Sequence, residues 1–169
     1  MAQFQDSENT LILETTKGKV VIGLFADLAP GHVVRIKELV REGAYDNVVF
    51  HRVIDDFMAQ TGDVQFGKKD GEKFNLSRSG MGGSDKPDLK AEFSNLPHKR
   101  GTVSMARSQN PNSANSQFFI CLADAPWLDR QYSIWGQVLE GMENIDKIKR
   151  GEPVVDPDAI IKATIAADT

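Results

Sequence analysis

Of the 169 residues, only one, Cys121, is a cysteine, so no intramolecular disulfide is available, which fits a reducing compartment. No excess of positive charge exists either: 20 Lys and Arg stand against 24 Asp and Glu, a net charge of -4. A nucleic-acid binder usually carries a basic patch, so that class recedes. The signs are mixed along the chain, so no acidic or basic partner is indicated. No apolar run approaches the length of a membrane span. The opening "MAQFQDSENT" is polar and lacks the apolar core of a secretory signal. A cytoplasmic protein without membrane or nucleic-acid partners is the expectation.

Catalytic residue sets are scarce as well. The three histidines, His32, His51 and His98, are far apart and lack metal-ligand spacing. No nucleophile elbow is present, and Cys121 lies in the apolar run "QFFICL", where an inert core thiol is expected. The run "GMGG" at Gly80–Gly83 is followed by no Gly-Lys-Ser/Thr and is not a phosphate loop. Asp55 and Asp56 fall on a predicted turn and read as solvated. Neither metal nor cofactor is expected.

What is present is strand signal. The stretch "LILETTKGKVVIGLF" reads as a β-hairpin turning at Thr16-Lys17-Gly18. Pro30 opens a helix whose apolar stripe is Val33, Ile36, Leu39 and Val40, and Gly43 ends it. "NVVFHRVI" and "FMAQ" read as strands, as do "GTVSMA", "QFFICL", "YSIWGQV" and "AIIKATIA". "MENIDKIKRG" reads as a second helix with Ile145 and Ile148 on one face. Between Val64 and Leu89 the chain is polar, a loop with a short turn of structure near Phe74 and Leu76. One domain over residues 1–169 is expected. The pattern predicts a mainly β fold, with a closed barrel attractive because closure removes exposed edges.

One stretch resists a purely structural reading. "VVFHRVIDDFMAQTGD" sets Arg52 in an apolar strand, with Phe57, Met58 and Gln60 close behind. Arginine is rarely buried unless paired, so Arg52 either closes an ion pair or faces a cleft. Met105, Gln117 and Phe119 form a second group of the same character, and Trp127, Leu128 and Tyr132 a third. As core residues the aromatics and methionines explain themselves; Arg52 and the amides do not.

"FHRVIDDFMAQTGD", "GTVSMA", "NSQFFICL" and "WLDRQYSIWGQVLEGM" together resemble the cyclophilins, peptidyl-prolyl cis-trans isomerases, from about Thr10 to Ile165. The closing "KIKRGEPVVDPDAIIKATI" is similar to members of bacterial type. The resemblance implies a closed antiparallel barrel of about eight strands capped by two helices. It also implies a catalytic Arg52 and a substrate-backbone amide at Gln60, with a second glutamine at Gln117. Phe57, Met58, Phe119 and Leu128 fall on the proline pocket, Ala106 on a small residue beside the peptide, and Trp127 on the tryptophan linked to cyclosporin binding. Departures are Arg107, where asparagine is common, Tyr132, where histidine is common, and Asp55-Asp56 in place of a Pro-Gly turn. The loop Val64–Ser79 is longer than in short members and is expected to stand apart from catalysis. A monomer acting on proline-containing peptides and on unfolded or partly folded clients is implied, with cyclosporin as inhibitor. Two alternatives remain open from the residues alone: a module that captures X-Pro loops without turnover, and a barrel that stores an apolar ligand.

Overall fold

A computed structural model describes residues 6–169. The first half of the polar opening stretch, read above for the lack of a secretory signal, lies outside the described residues. No helix among the described residues is long and apolar enough to cross a membrane.

The predicted hairpin forms from β1 (Thr10–Thr15) and β2 (Gly18–Leu24). Its turn is held by Thr15, whose hydroxyl donates to the Gly18 carbonyl at 2.7 Å and accepts the Lys17 N–H at 3.1 Å. Gly18 sits at φ +127°, a conformation that glycine alone adopts readily. Alternation sends Leu11 and Leu13 of β1 and Val20, Ile22 and Leu24 of β2 into the core. Helix α1 (Pro30–Arg41) begins on its proline and buries Val33, Ile36, Leu39 and Val40, as the stripe predicts. It buries His32 and Arg35 too, which periodicity did not mark. Arg35 is tolerated there because its guanidinium donates to the carbonyls of Pro87 and Asn115.

The remaining strands are β3 (Val48–Val49), β4 (Arg52–Ile54), β5 (Met58–Thr61), β6 (Thr102–Met105), β7 (Phe118–Cys121), β8 (Ile134–Glu140) and β9 (Ala159–Ile165). With β1 and β2 they form one antiparallel sheet of nine strands in the order β3-β9-β1-β2-β8-β6-β7-β5-β4. This corrects the expected closed barrel of eight. The sheet is curled, and its two end strands, β3 and β4, are consecutive in the chain, joined through Phe50 and His51. No ladder links them; the covalent chain spans the seam. The stretch "NVVFHRVI" therefore makes two strands, because it changes partner midway: Val48 and Val49 pair with β9, Arg52–Ile54 with β5.

The second helix, α2 (Met142–Ile145), is shorter than "MENIDKIKRG" suggested. Ile145 and Ile148 are buried as expected. The Arg150 guanidinium donates to the Asp146 and Ile148 carbonyls at 2.8 and 2.6 Å, serving acceptors that a longer helix would satisfy itself. Gly151 then exchanges two 2.8 Å backbone hydrogen bonds with Val53, which ties the chain to β4 at the start of a tight turn.

Side chains fill the interior. Trp135, Tyr45, Phe50 and Phe118 are its largest fully buried residues, and Phe118 meets Trp135 and Tyr45 edge to face at 5.2 and 5.5 Å. The compartment that a ligand-storing barrel needs is thus occupied. Met105 belongs to this interior as well and not with Gln117 and Phe119.

Candidate active site

A second, smaller apolar cluster lies on the outer side of the same strands. Met58, Phe119, Cys121, Ala125 and Leu128 are buried in it, with Ile54, Phe57, Ala106 and Tyr132 packed around them. Strand pleating creates it. Along β7, Phe118 and Ile120 enter the interior while Phe119 and Cys121 join the outer cluster. Register then aligns three candidate side chains: Arg52 opposes Gln60 across β4 and β5, and Gln60 opposes Phe119 across β5 and β7.

Together these residues line a cleft of about 140 Å³. Its walls are Arg52, Phe57, Met58, Gln60, Ala106, Arg107, Phe119, Leu128 and Tyr132, all drawn from the sequence-predicted set. Gln117 lies in the adjoining cleft of about 230 Å³, which shares Gln60, Ala106 and Arg107. Trp127 does not line either; it sits on the 3-10 turn Pro126–Leu128, 63% exposed, with its ring 5.7 Å from that of Phe57.

A directional relay of hydrogen bonds runs along the polar side. Arg52 donates from Nη1 to Gln60 Oε1 at 3.2 Å. Gln60 donates from Nε2 to Gln117 Oε1 at 3.0 Å, and Gln117 Nε2 donates to the Gly82 carbonyl at 2.8 Å. Because arginine can only donate, it fixes which way each amide points. At the other end, Arg52 Nε donates to Glu152 Oε2 at 2.7 Å. The question posed by Arg52 has both answers: it faces the cleft and also closes an ion pair.

Arg107 turns its charge away from the apolar floor. Its guanidinium lies 4.6 Å over the Tyr132 ring and donates to the carbonyls of Gln131, Ser108 and Gln109. Tyr132 meets Phe119 edge to face at 5.6 Å. Asp55 and Asp56 are both exposed, as the solvated reading expects; Asp55 also meets Arg150 at 3.1 Å on the surface, and Asp56 has a positive φ. Burial pushes the Cys121 thiol up to about 12, consistent with an inert core cysteine.

Three supports are absent from the residues singled out in the sequence. His98 stacks on Phe119 at 6.2 Å, held by Asp129 on Nδ1 at 3.2 Å and by Ser104 Oγ on Nε2 at 3.0 Å. Burial lowers its pKa, against the pull of Asp129, so the neutral ring is favoured behind the cleft. Asp63 is fully buried and accepts four backbone N–H groups, from Gln65, Phe66, Gly80 and Gly82. That hub holds the return of the long loop so that Gly82 can receive Gln117. A Cβ on Gly82 would come within 2.5 Å of the Asp63 carboxylate, which is why the run "GMGG" has glycine there. Glu152 is the third; no periodicity or motif marks it. Only the Asp63 hub left a trace in the sequence, as an acid before a glycine-rich stretch.

The fold is that of cyclophilins. A solved cyclophilin from Hirschia baltica superposes with a TM-score of 0.83 at 30% identity, over 97% of this chain and 76% of that one. A Cryptosporidium parvum cyclophilin-type peptidyl-prolyl cis-trans isomerase, solved in the presence of the dipeptide Ala-Pro, gives a TM-score of 0.79 at 26% identity, over 92% of this chain and 98% of that one. The family model for cyclophilin type peptidyl-prolyl cis-trans isomerase/CLD matches residues 10–166. A probable peptidyl-prolyl cis-trans isomerase of Brucella suis is 59% identical, covering 99% of this chain and 88% of the relative. The Escherichia coli peptidyl-prolyl cis-trans isomerase B is 38% identical over 80% of each. The chain belongs to the cyclophilin-type peptidyl-prolyl cis-trans isomerases, and its activity is the cis-trans isomerisation of peptidyl-prolyl bonds.

Proposed function

We propose that Arg52 catalyses X-Pro isomerisation by donating a hydrogen bond to the prolyl nitrogen while the apolar cleft grips the ring. Resonance gives the peptide bond a rotation barrier of ~18–20 kcal/mol, and before proline both isomers are populated. Rotation to the twisted state removes that resonance and returns a lone pair to the nitrogen. A donor aimed there binds the twisted state better than either planar state, which is the requirement for catalysis. The guanidinium is permanently charged, planar and preorganised by Gln60. Phe57, Met58, Phe119 and Leu128 form the proline pocket, beside Ala106 and Tyr132. Gln60 and Gln117 hold substrate backbone, with Arg107 at the rim. No bond is broken in the reaction, so neither metal nor cofactor enters it.

One observation carries this reading: a cationic donor stands at the rim of a cleft whose floor is apolar and sized for a small ring. The substrates are proline-containing peptides and partly folded proteins, met by a monomer in the cytoplasm. Trp127, packed on Phe57, is the contact that makes the groove accept cyclosporin. A protease-coupled isomerisation assay on an Ala-Pro peptide tests the mechanism. Arg52→Ala lowers kcat/KM by about two orders of magnitude or more, the scale of a lost preorganised donor. Arg52→Lys keeps the charge, loses the planar fork and is also impaired. Wild-type turnover in Arg52→Ala would sink the mechanism and favour a module that captures X-Pro loops.

A further inference from the structure

We propose that Glu152 is a positioning residue for Arg52, holding the guanidinium from outside the cleft; this rests on the catalytic reading of Arg52 above. A guanidinium at the end of a flexible stem needs two fixed points to set the orientation of its plane. Gln60 supplies one, on Nη1, and Glu152 the other, on Nε, the shorter contact at 2.7 Å. Arginine has five N–H donors, so about three remain for the substrate. The Arg52 side chain is 39% exposed, so with either anchor missing, water competes for the freed donor and the plane can turn.

The backbone around Glu152 is clamped to the residues on either side of Arg52. Gly151 exchanges 2.8 Å hydrogen bonds with Val53 in both directions, and the Val154 N–H donates to the His51 carbonyl at 3.0 Å. Gly151 lies at φ +155°, and a Cβ there would meet the Val154 Cα at 2.7 Å and the Pro153 carbonyl oxygen at 2.8 Å. The turn is therefore built tightly around the one residue between its clamps that bears a carboxylate. The Glu152 side chain is itself 57% exposed, and exposed ion pairs contribute little to stability. Its consequence falls on the order of Arg52 and not on the fold.

The test compares E152A, E152Q and R52A, measuring kcat and KM on an Ala-Pro peptide and the 15N relaxation of the Arg52 Nε–H group. Truncation in E152A lowers kcat about tenfold, the scale of a misplaced reacting group, with KM within about twofold. It also raises the mobility of the Nε–H group. The glutamine of E152Q still accepts the Nε–H and restores most of the lost kcat. A purely structural role would move neither the side-chain relaxation nor the split between kcat and KM. An E152A kcat near wild type, while R52A has lost activity, overturns the proposal; so does equal loss in E152Q and E152A. Retained activity in R52A instead overturns the catalytic reading of Arg52 itself.

Discussion

Strand β7 supplies both regions that matter, one on each face. Phe118 and Ile120 pack into the interior of the curled sheet beside Trp135 and Tyr45; Phe119 and Cys121 pack outward with Met58 and Leu128. All four are nearly inaccessible, so burial alone does not separate core from site. The difference lies in what surrounds each group. Interior residues meet apolar side chains and the backbone of neighbouring strands. The outer cluster is rimmed by Arg52, Gln60 and Arg107, opens to solvent, and rests on the polar His98–Asp129–Ser104 support. One pleated strand thus builds an enclosed scaffold and an open recognition surface with adjacent residues. Moving Phe119 means moving Phe118, which the core resists, and that rigidity keeps the cleft in shape.

Substitutions on the two faces sharpen this contrast. Phe118→Ala removes a buried ring from the interior and costs about 3–5 kcal/mol in urea unfolding. Phe119→Ala opens a cavity that water can enter, costs less stability, and lowers kcat/KM more than Phe118→Ala does in whatever fraction of that variant stays folded. Equal stability losses with equal residual activity would erase the distinction between the faces.

A smaller effect is expected at the rim of the outer face. Trp127 is the exposed member of that surface, so Trp127→Ala weakens cyclosporin by ~30-fold, about 2 kcal/mol, with smaller loss of peptide turnover. Tryptophan emission on titration with cyclosporin reads this directly. A flat signal at saturating drug, with activity unchanged, would place Trp127 outside the binding groove.

Smallest of all is the change expected in the long loop. Replacing Glu72–Ser77 with a short glycine-serine turn leaves the Asp63 hub and the Lys69–Asn47 backbone hydrogen bond in place. Isomerase activity should stay within about threefold, because loop length changes cost little when the anchors survive. A large loss in a folded variant would show that the loop shapes the outer face.

Local signals in the sequence account for much of this molecule. The hairpin, α1 and the strand positions follow from alternation, a helical stripe and glycine or proline punctuation, all within a few residues. The Arg52–Phe57–Met58–Gln60 group was legible because a charge inside an apolar strand demands a reason. What escaped was set by distant partners. The break between β3 and β4 depends on β9 and β5, which lie far along the chain. The early end of α2 depends on Gly151 pairing with Val53. Met105 was grouped with the cleft because strand parity, and not composition, decides which face a methionine takes. Glu152 meets Arg52 across 100 residues of sequence, where no periodicity reaches.

Strand β9, residues Ala159–Ile165, lies between β3 and β1 in the sheet. During synthesis it is the last strand to emerge. Until it does, β1 and β3 each present a row of unsatisfied backbone groups, available to any other extended segment nearby. The strands before it therefore stand in an unfinished sheet until Ala159–Ile165 has joined them. All the residues that line the cleft, from Arg52 through Tyr132, are synthesised before the strand that completes the sheet. A peptidyl-prolyl isomerase thus depends for its own completion on the pairing of β1 with β9, about 150 residues apart in sequence, the kind of long-range contact that forms slowly.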